Sequence, residues 1–214
     1  MYLPRQFRED RLELQHGFMK QHPLGLLICQ GERGLEANPV PFTLYPAEGP
    51  LGTLRCHVSR ANQQWQALSS VAECLVAFLG PQAYVTPSWY ATKRETGKVV
   101  PTWNYAAVHA WGAPRVTSDA AWLRRQVDDL TAVHEGRFPE PWSVSDAPAE
   151  FVEAQLRGIV GVEIEIARME GKWKMSQNRP AADRAGVRAG LTLRGSGDAA
   201  VAEVMSELEE GSAG

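Results

Sequence analysis

The order of its periodicities constrains this chain most. Strand-like runs come early and in succession: LGLLICQ (24–30), LEANPVPFTL (35–44), TLRCHVS (53–59), VAECLVAFLG (71–80) and VVPTWNYAAVHAWG (99–112). Two helical stretches follow, SDAAWLRRQVDDLTAVHE (118–135) and one near 149–157. The alternating run IVGVEIEIARME (159–170) comes after them. Strands and helices do not alternate as β-α-β-α, which argues against a doubly wound parallel sheet. An antiparallel barrel with peripheral helices fits: α+β, mainly β. At 214 residues and 44% hydrophobic content, one domain with a full core is within reach. The expected organisation is a single domain over 1–195, then a C-terminal helix and disordered tail over 196–214.

Local signals fill in the frame. Phe7, Leu14 and Phe18 predict a first helix over 7–21, closed by Pro23. GERG (31–34) reads as the turn of a hairpin whose second strand carries two prolines and so belongs at an edge. NQQWQALSS (62–70) reads as a short helix, and ATKRETGK (91–98) as an exposed loop tip. Ser118 is the expected N-cap of the 118–135 helix, with Leu123, Val127 and Leu130 as its apolar stripe.

The run 99–112 sorts its side chains by parity. Trp103, Tyr105, His109 and Trp111 take one face; Thr102, Asn104, Ala106, Val108 and Ala110 take the other. The expectation is a central strand whose aromatic face packs into the core, with the Thr102–Asn104 end left for a ligand.

Several functions are excluded. A net charge of −3 and a pI near 6.0 do not match the electrostatic footprint of a stand-alone nucleic-acid binder. There is no Walker-type phosphate loop, no G-x-S-x-G elbow and no dinucleotide fingerprint; the second histidine of a zinc-protease helix is missing after His134-Glu135. Cys29, Cys56 and Cys74 form no C-x-x-C pair and read as buried, reduced thiols of a cytoplasmic protein. The first ten residues turn charged at once, unlike a signal peptide, and no apolar run reaches transmembrane length.

Three clusters mix aromatic and hydrogen-bonding residues. In HVSRANQQW (57–65) a strand enters a helix through His57, Ser59, Arg60 and Asn62. A helix start, a hydroxyl and a guanidinium fork together suit a phosphate. YVTPSWYATK (84–93), running on to VVPTWNY, brings Ser88, Trp89, Tyr90 and Lys93 towards Thr102, Trp103 and Asn104 across an expected hairpin. GKWKMSQN (171–178) offers Lys172, Ser176, Gln177 and Asn178 around Trp173. The implied ligand has an anionic end, a flat ring and a ring edge of alternating donors and acceptors. Flavin mononucleotide has all three.

With MYLP…F, HVSRANQQW, GPQAYVTPSWY…K, VVPTWNYAAVH and GKWKMSQNRP…D…GV in order, the chain resembles the PaiB family from Met1 to about Leu191. The resemblance implies an FMN-binding split β-barrel like that of the pyridoxamine-phosphate oxidases. It also implies a homodimer with FMN near the interface, and the role of negative transcriptional regulator. Ser59 and Arg60 match the serine–arginine pair that holds the flavin phosphate in the wider fold, although the family more often has alanine where Ser59 stands. GKWKMSQN resembles the segment that reaches the flavin of the other protomer in related oxidases. Two other functions fit the same fold: a flavin-dependent oxidoreductase, with Tyr90, His109 or Lys93 as proton donor, and a haem-handling split barrel. No catalytic set and no metal ligands are nominated, and direct DNA binding and membrane association are not expected.

Overall fold

The computed structural model describes residues 1–32 and 34–210. Arg33, inside the expected GERG turn, and the last four positions of the expected disordered tail lie outside the described residues. A 3-10 turn (Arg5–Phe7) leads into β1 (Arg8–Glu9), α1 (Leu12–Gln21), β2 (Leu24–Gly31), β3 (Gly34–Pro41), β4 (Thr43–Tyr45) and β5 (Thr53–Ser59). Next come α2 (Gln64–Leu68), β6 (Cys74–Val85), α3 (Ala91–Thr96), β7 (Thr102–Thr117), α4 (Ala120–Glu135), α5 (Ala149–Arg157) and β8 (Ile159–Lys174). Helices α6 (Ala181–Thr192) and α7 (Ser196–Glu210) complete the described chain.

The strands form one sheet in the order β3-β2-β6-β7-β8-β5-β4, with β1 also paired to β8. The ladders with defined register are antiparallel. The sheet is open, with β3 and β4 at its ends. Pro39 and Pro41 lie in β3, where a missing N–H costs no ladder bond on the free side. By contact density the chain divides into two compact units. One comprises Met1–Arg11, Leu79–Val108 and the residues from Glu170 onward; the other comprises Leu12–Phe78 and His109–Met169.

In the second unit, the β5–β8 ladder sets Leu54 opposite Ile164, Cys56 opposite Val162 and Val58 opposite Val160. All six are buried, so register and burial agree at each step. Opposite His57 stands Gly161. A Cβ there would fall 2.2 Å from the Trp122 ring, so only glycine lets α4 close on the strand. In the other unit the core gathers Phe7, Val85, Tyr90, Trp173, Met175, Val187, Leu191, Val201 and Met205.

Several expectations need correction. The first helix begins at Leu12 rather than residue 7, because Arg8 and Glu9 pair with Lys172 and Gly171 instead. Residues 91–96 are helical, ended by Gly97 in the left-handed conformation. Asp119, not Ser118, caps α4 by accepting the Trp122 N–H at 2.7 Å. The final strand runs to Lys174, so the KWK of the third cluster lies in β8 and not in a turn after it.

The faces of β7 are the reverse of the expectation. Asn104, Ala106, Val108 and Ala110 are buried, whereas Trp103 is 52% exposed and Tyr105, His109 and Trp111 are half-buried. The small side chains let the layer beneath approach closely, and this leaves the aromatics outward.

Candidate flavin site

The two units each hold part of the nominated set. In the second unit, β5 presents His57 and ends at Ser59. His57 Nδ1 lies 2.7 Å from the Gln126 Oε1 of α4, whose Nε2 is buried without a partner. Ser59 Oγ accepts the Ala61 N–H at 3.3 Å, and Asn62 Oδ1 accepts the Gln64 N–H at 3.1 Å. Arg60 donates from Nε to the Arg157 carbonyl (3.0 Å) and from Nη2 to the Ile159 carbonyl (3.0 Å) and Ser118 Oγ (3.2 Å). These bonds satisfy carbonyls where α5 gives way to β8. Two of the three guanidinium nitrogens are thereby engaged, and α2, at five residues, is too short to act as an anion-binding helix start.

In the other unit, Ser88 and Lys93 meet, with Lys93 Nζ donating to Ser88 Oγ at 3.1 Å. Trp89 is held by packing: Cβ atoms at Gly186 and Gly190 of α6 would fall 2.1 Å from its carbonyl oxygen and 2.3 Å from its indole. Tyr90 is buried, with the Arg179 guanidinium 4.7 Å from its ring centre. Burial raises the Tyr90 phenol above its ordinary range, and nearby Arg179 opposes the rise. The ring partner of Trp103 is Tyr84, edge-on at 6.1 Å. Of the three aromatics expected to converge, only Trp103 presents a largely open ring.

The end of β8 carries the charge. Lys174 Nζ donates to Thr102 Oγ1 at 2.6 Å and to the Trp103 carbonyl. Burial first, then repulsion from Lys172 and Arg179, pulls its pKa below the usual lysine value. Lys172 is buried, donates to the Tyr2 carbonyl at 2.9 Å and lies 5.2 Å from the Tyr105 ring centre. Among the described residues, no carboxylate pairs with Lys172, Lys174 or Arg179. Three cations without a counter-ion, one of them destabilised, form a built preference for an anion.

Beyond β8 the chain turns sharply. Ser176 has φ +65°, the one positive value at a non-glycine residue among those described. Gln177 holds the turn from both ends of its amide: Oε1 accepts the Met175 N–H at 2.7 Å and Nε2 donates to the Trp173 carbonyl at 2.5 Å. Its amide is thus turned on its own segment rather than outward. Ser176 Oγ donates to Asn104 Oδ1 at 3.0 Å, and Asn178 is exposed. Sequence reasoning left Lys174 and Arg179 out of the nominated set. The flanking of Trp173 by two lysines was the available signal, but a surface turn explained it equally well until the strand was seen to continue. Also missed was Asp183, fully buried, which accepts from Thr92 N and Thr92 Oγ1, both at 2.9 Å, and ties α6 to α3.

The family model described as "Putative FMN-binding domain" matches residues 1–168. The chain belongs to this FMN-binding family. Among its relatives, an uncharacterized protein of Aspergillus fumigatus is 37% identical over 91% of this chain and 92% of its own. The protease synthase and sporulation protein PAI 2 of Bacillus subtilis is 28% identical over 86% and 85%, which places the family with the PaiB proteins. The flavocytochrome Anf3 of Azotobacter vinelandii superposes with TM-score 0.59 at 16% identity, covering 86% of this chain and 78% of its own. The FAD and heme binding protein of Mycobacterium smegmatis gives 0.57 at 16% identity over 82% and 77%. At such identity these two establish the split-barrel fold alone. FMN is the cofactor of the family, and the unpaired cations at the end of β8 fit its phosphate. Among the described residues no group of metal-ligating side chains gathers, and no helix is long and apolar enough to cross a membrane.

Proposed function

We propose that this chain is a PaiB-type regulator: an FMN-binding homodimer of the cytoplasm that acts through the occupancy or redox state of its flavin, without itself reading DNA. The cations Lys172, Lys174 and Arg179, which pair with no carboxylate among the described residues, carry the reading, with Lys174 bonded to the carbonyl of Trp103, whose indole is open. Lys174 and Lys172 would hold the phosphate, with Thr102 orienting the Lys174 ammonium. Trp103 would cover the ring and Asn178 supply a polar contact along its edge, while Asn104 and Ser176, bonded to each other, brace this end of β7 from its buried face. Ser88 with Lys93 forms a further anion contact. In the second unit His57, Ser59, Arg60 and Asn62 remain candidate contacts in their own right, and in the first unit Trp89, Tyr90 and Gln177 are held by their own packing and hydrogen bonds. Bound FMN supplies one- or two-electron redox chemistry. The residues around it bind, orient and exclude water.

Dimerisation is supported by the outward aromatics of β7 and by the open sheet ends, both surfaces that a second copy would cover. Action without direct DNA reading is supported by the acidic net charge. Reconstitution with FMN, followed by light scattering and a gel shift on a fragment bearing the protein's own promoter, tests the proposal. A flavin-loaded dimer that fails to shift DNA at low salt is the expected result. A tight, salt-dependent shift would overturn the indirect role, and steady NAD(P)H oxidation would move the assignment to an oxidoreductase.

A further inference from the structure

Helix α4 packs against β4 and β5, and the layer between them leaves polar atoms unserved. Three buried side-chain polar atoms lack a partner among the described residues, and two of them, Gln126 Nε2 and Thr43 Oγ1, belong to this layer. Thr43 stands opposite Arg55 in the β4–β5 ladder and shares a face of β4 with Tyr45. Trp122, Arg125, Gln126 and Asp129 fall at helical spacing on one face of α4. With Tyr45 and Arg55 they line a cleft of about 230 Å³. Gln126 is 2% exposed. Its Oε1 is engaged by His57 Nδ1 at 2.7 Å, and His57 lies outside the cleft wall, so Nε2 is the end of the amide left to serve an occupant. Buried donors are nearly always paired, so this one marks a place built for an acceptor. Arg55 is already committed: it donates to Glu48 at 2.6 Å and to Glu163 at 2.7 Å, and its guanidinium covers the Tyr45 ring at 4.3 Å. Asp129 accepts the Tyr45 hydroxyl at 2.5 Å. Burial, then that bond to Asp129, pushes the Tyr45 phenol up to about 12, which keeps it a donor. Arg125 is exposed and pairs with no carboxylate among the described residues.

We propose that this cleft binds a small monocarboxylate: Gln126 Nε2 and the Arg125 guanidinium take its carboxylate, and the Trp122 ring takes its apolar body. A carboxylate has acceptor oxygens for both donors, and its bond to arginine is charge-assisted. Glu48 and Asp129 also line the cleft, so a second negative charge on the ligand would be repelled. That sets a monocarboxylate apart from phosphate or a dicarboxylate. The volume falls below that of an ordinary cofactor pocket, so the occupant is much smaller than a flavin. None of the cleft residues is a nominated flavin contact, and all belong to the second unit. The site therefore stands whether or not the flavin assignment does.

Thermal denaturation and isothermal titration of the full chain test this, with propionate and benzoate as probes and with succinate and inorganic phosphate as controls at constant ionic strength. The two monocarboxylates should raise Tm saturably at millimolar concentration, because a ligand that binds only the folded state stabilises it. Succinate and phosphate should do so much less. Arg125→Ala should weaken benzoate about ten- to hundredfold, the usual loss for a charge-assisted bond. Arg125 is exposed and unpaired, so this variant should fold as the parent does. Gln126→Leu should weaken benzoate as well; should that variant fail to fold, Arg125→Ala still decides the matter. No saturable effect of either monocarboxylate would overturn the proposal and leave the cleft to water. An effect matched by phosphate or succinate, or one that persists undiminished in Arg125→Ala, would overturn it too, by placing the anion elsewhere.

Discussion

Replacing Lys174 by methionine separates a binding role from a structural one. The ammonium has two neutral acceptors, Thr102 Oγ1 and the Trp103 carbonyl, and repulsive neighbours in Lys172 and Arg179. Losing it removes two hydrogen bonds from the apo protein but also relieves a partly desolvated charge. These opposing effects should leave the apo Tm within a few degrees of the parent. For FMN the loss is one-sided. A charge-assisted bond to phosphate contributes about 1.5–3 kcal/mol, so affinity should fall roughly 10- to 150-fold. At a concentration of 100 Kd, FMN stabilises the parent by about 2.7 kcal/mol; a 30-fold loss cuts this to about 0.9 kcal/mol. For a chain of this size the flavin-induced rise in Tm should shrink from about 5–11 °C to about 2–4 °C. Differential scanning fluorimetry at fixed FMN, with a parallel flavin-fluorescence titration, reads both quantities. An unchanged flavin-induced shift in a folded Lys174→Met protein would remove Lys174 from the phosphate site.

Arg60→Ala should weaken FMN less than Lys174→Met does, because Nε and Nη2 already serve carbonyls; a larger loss in the same titration would return the phosphate to Arg60. Gly186→Ala should lower stability by about 1–3 kcal/mol despite alanine's better helix propensity, since its Cβ would fall 2.1 Å from the Trp89 carbonyl, a backbone atom that cannot rotate away. A chemical denaturation midpoint at or above the parent's would show that α6 can shift to make room. Burial raises the Cys56 and Cys74 thiols, the latter to about 12, and Cys29 is raised as well. All three should resist Ellman's reagent at pH 8 until guanidinium is added, and prompt labelling of the native protein would contradict that burial. Lys174 also carries a pH signature. Its folded pKa lies below its unfolded value, so its destabilising contribution is fully present below the folded pKa and fades as pH rises towards 10.5. Relative to Lys174→Met, the apo parent should therefore gain stability across that alkaline window; a flat difference in paired denaturation curves would refute the assignment.

Much of the fold was legible because it is written in local periodicity. The strand 53–59 and the helix 149–157 fall at the expected residues, since each combines an unambiguous pattern with clear boundaries. Prolines 39 and 41 marked β3 as an edge because a missing N–H is most easily tolerated there. Polar and aromatic residues in a fixed order made the FMN-binding family recognisable, because a phosphate and a flat ring need those side-chain types wherever the fold places them. Alternation also divided β7 correctly into two sets, but it carries no sign. Which set faces inward depends on what packs beneath, and there the small side chains, not the aromatics, met the core. The same limit applied to the site. No local pattern could reveal that the Arg60 fork closes on carbonyls about a hundred residues away, that Trp89 is clasped by two glycines of α6, or that Lys174 stands without a counter-ion. Those facts depend on distances between segments remote in sequence, and only the tertiary structure sets such distances.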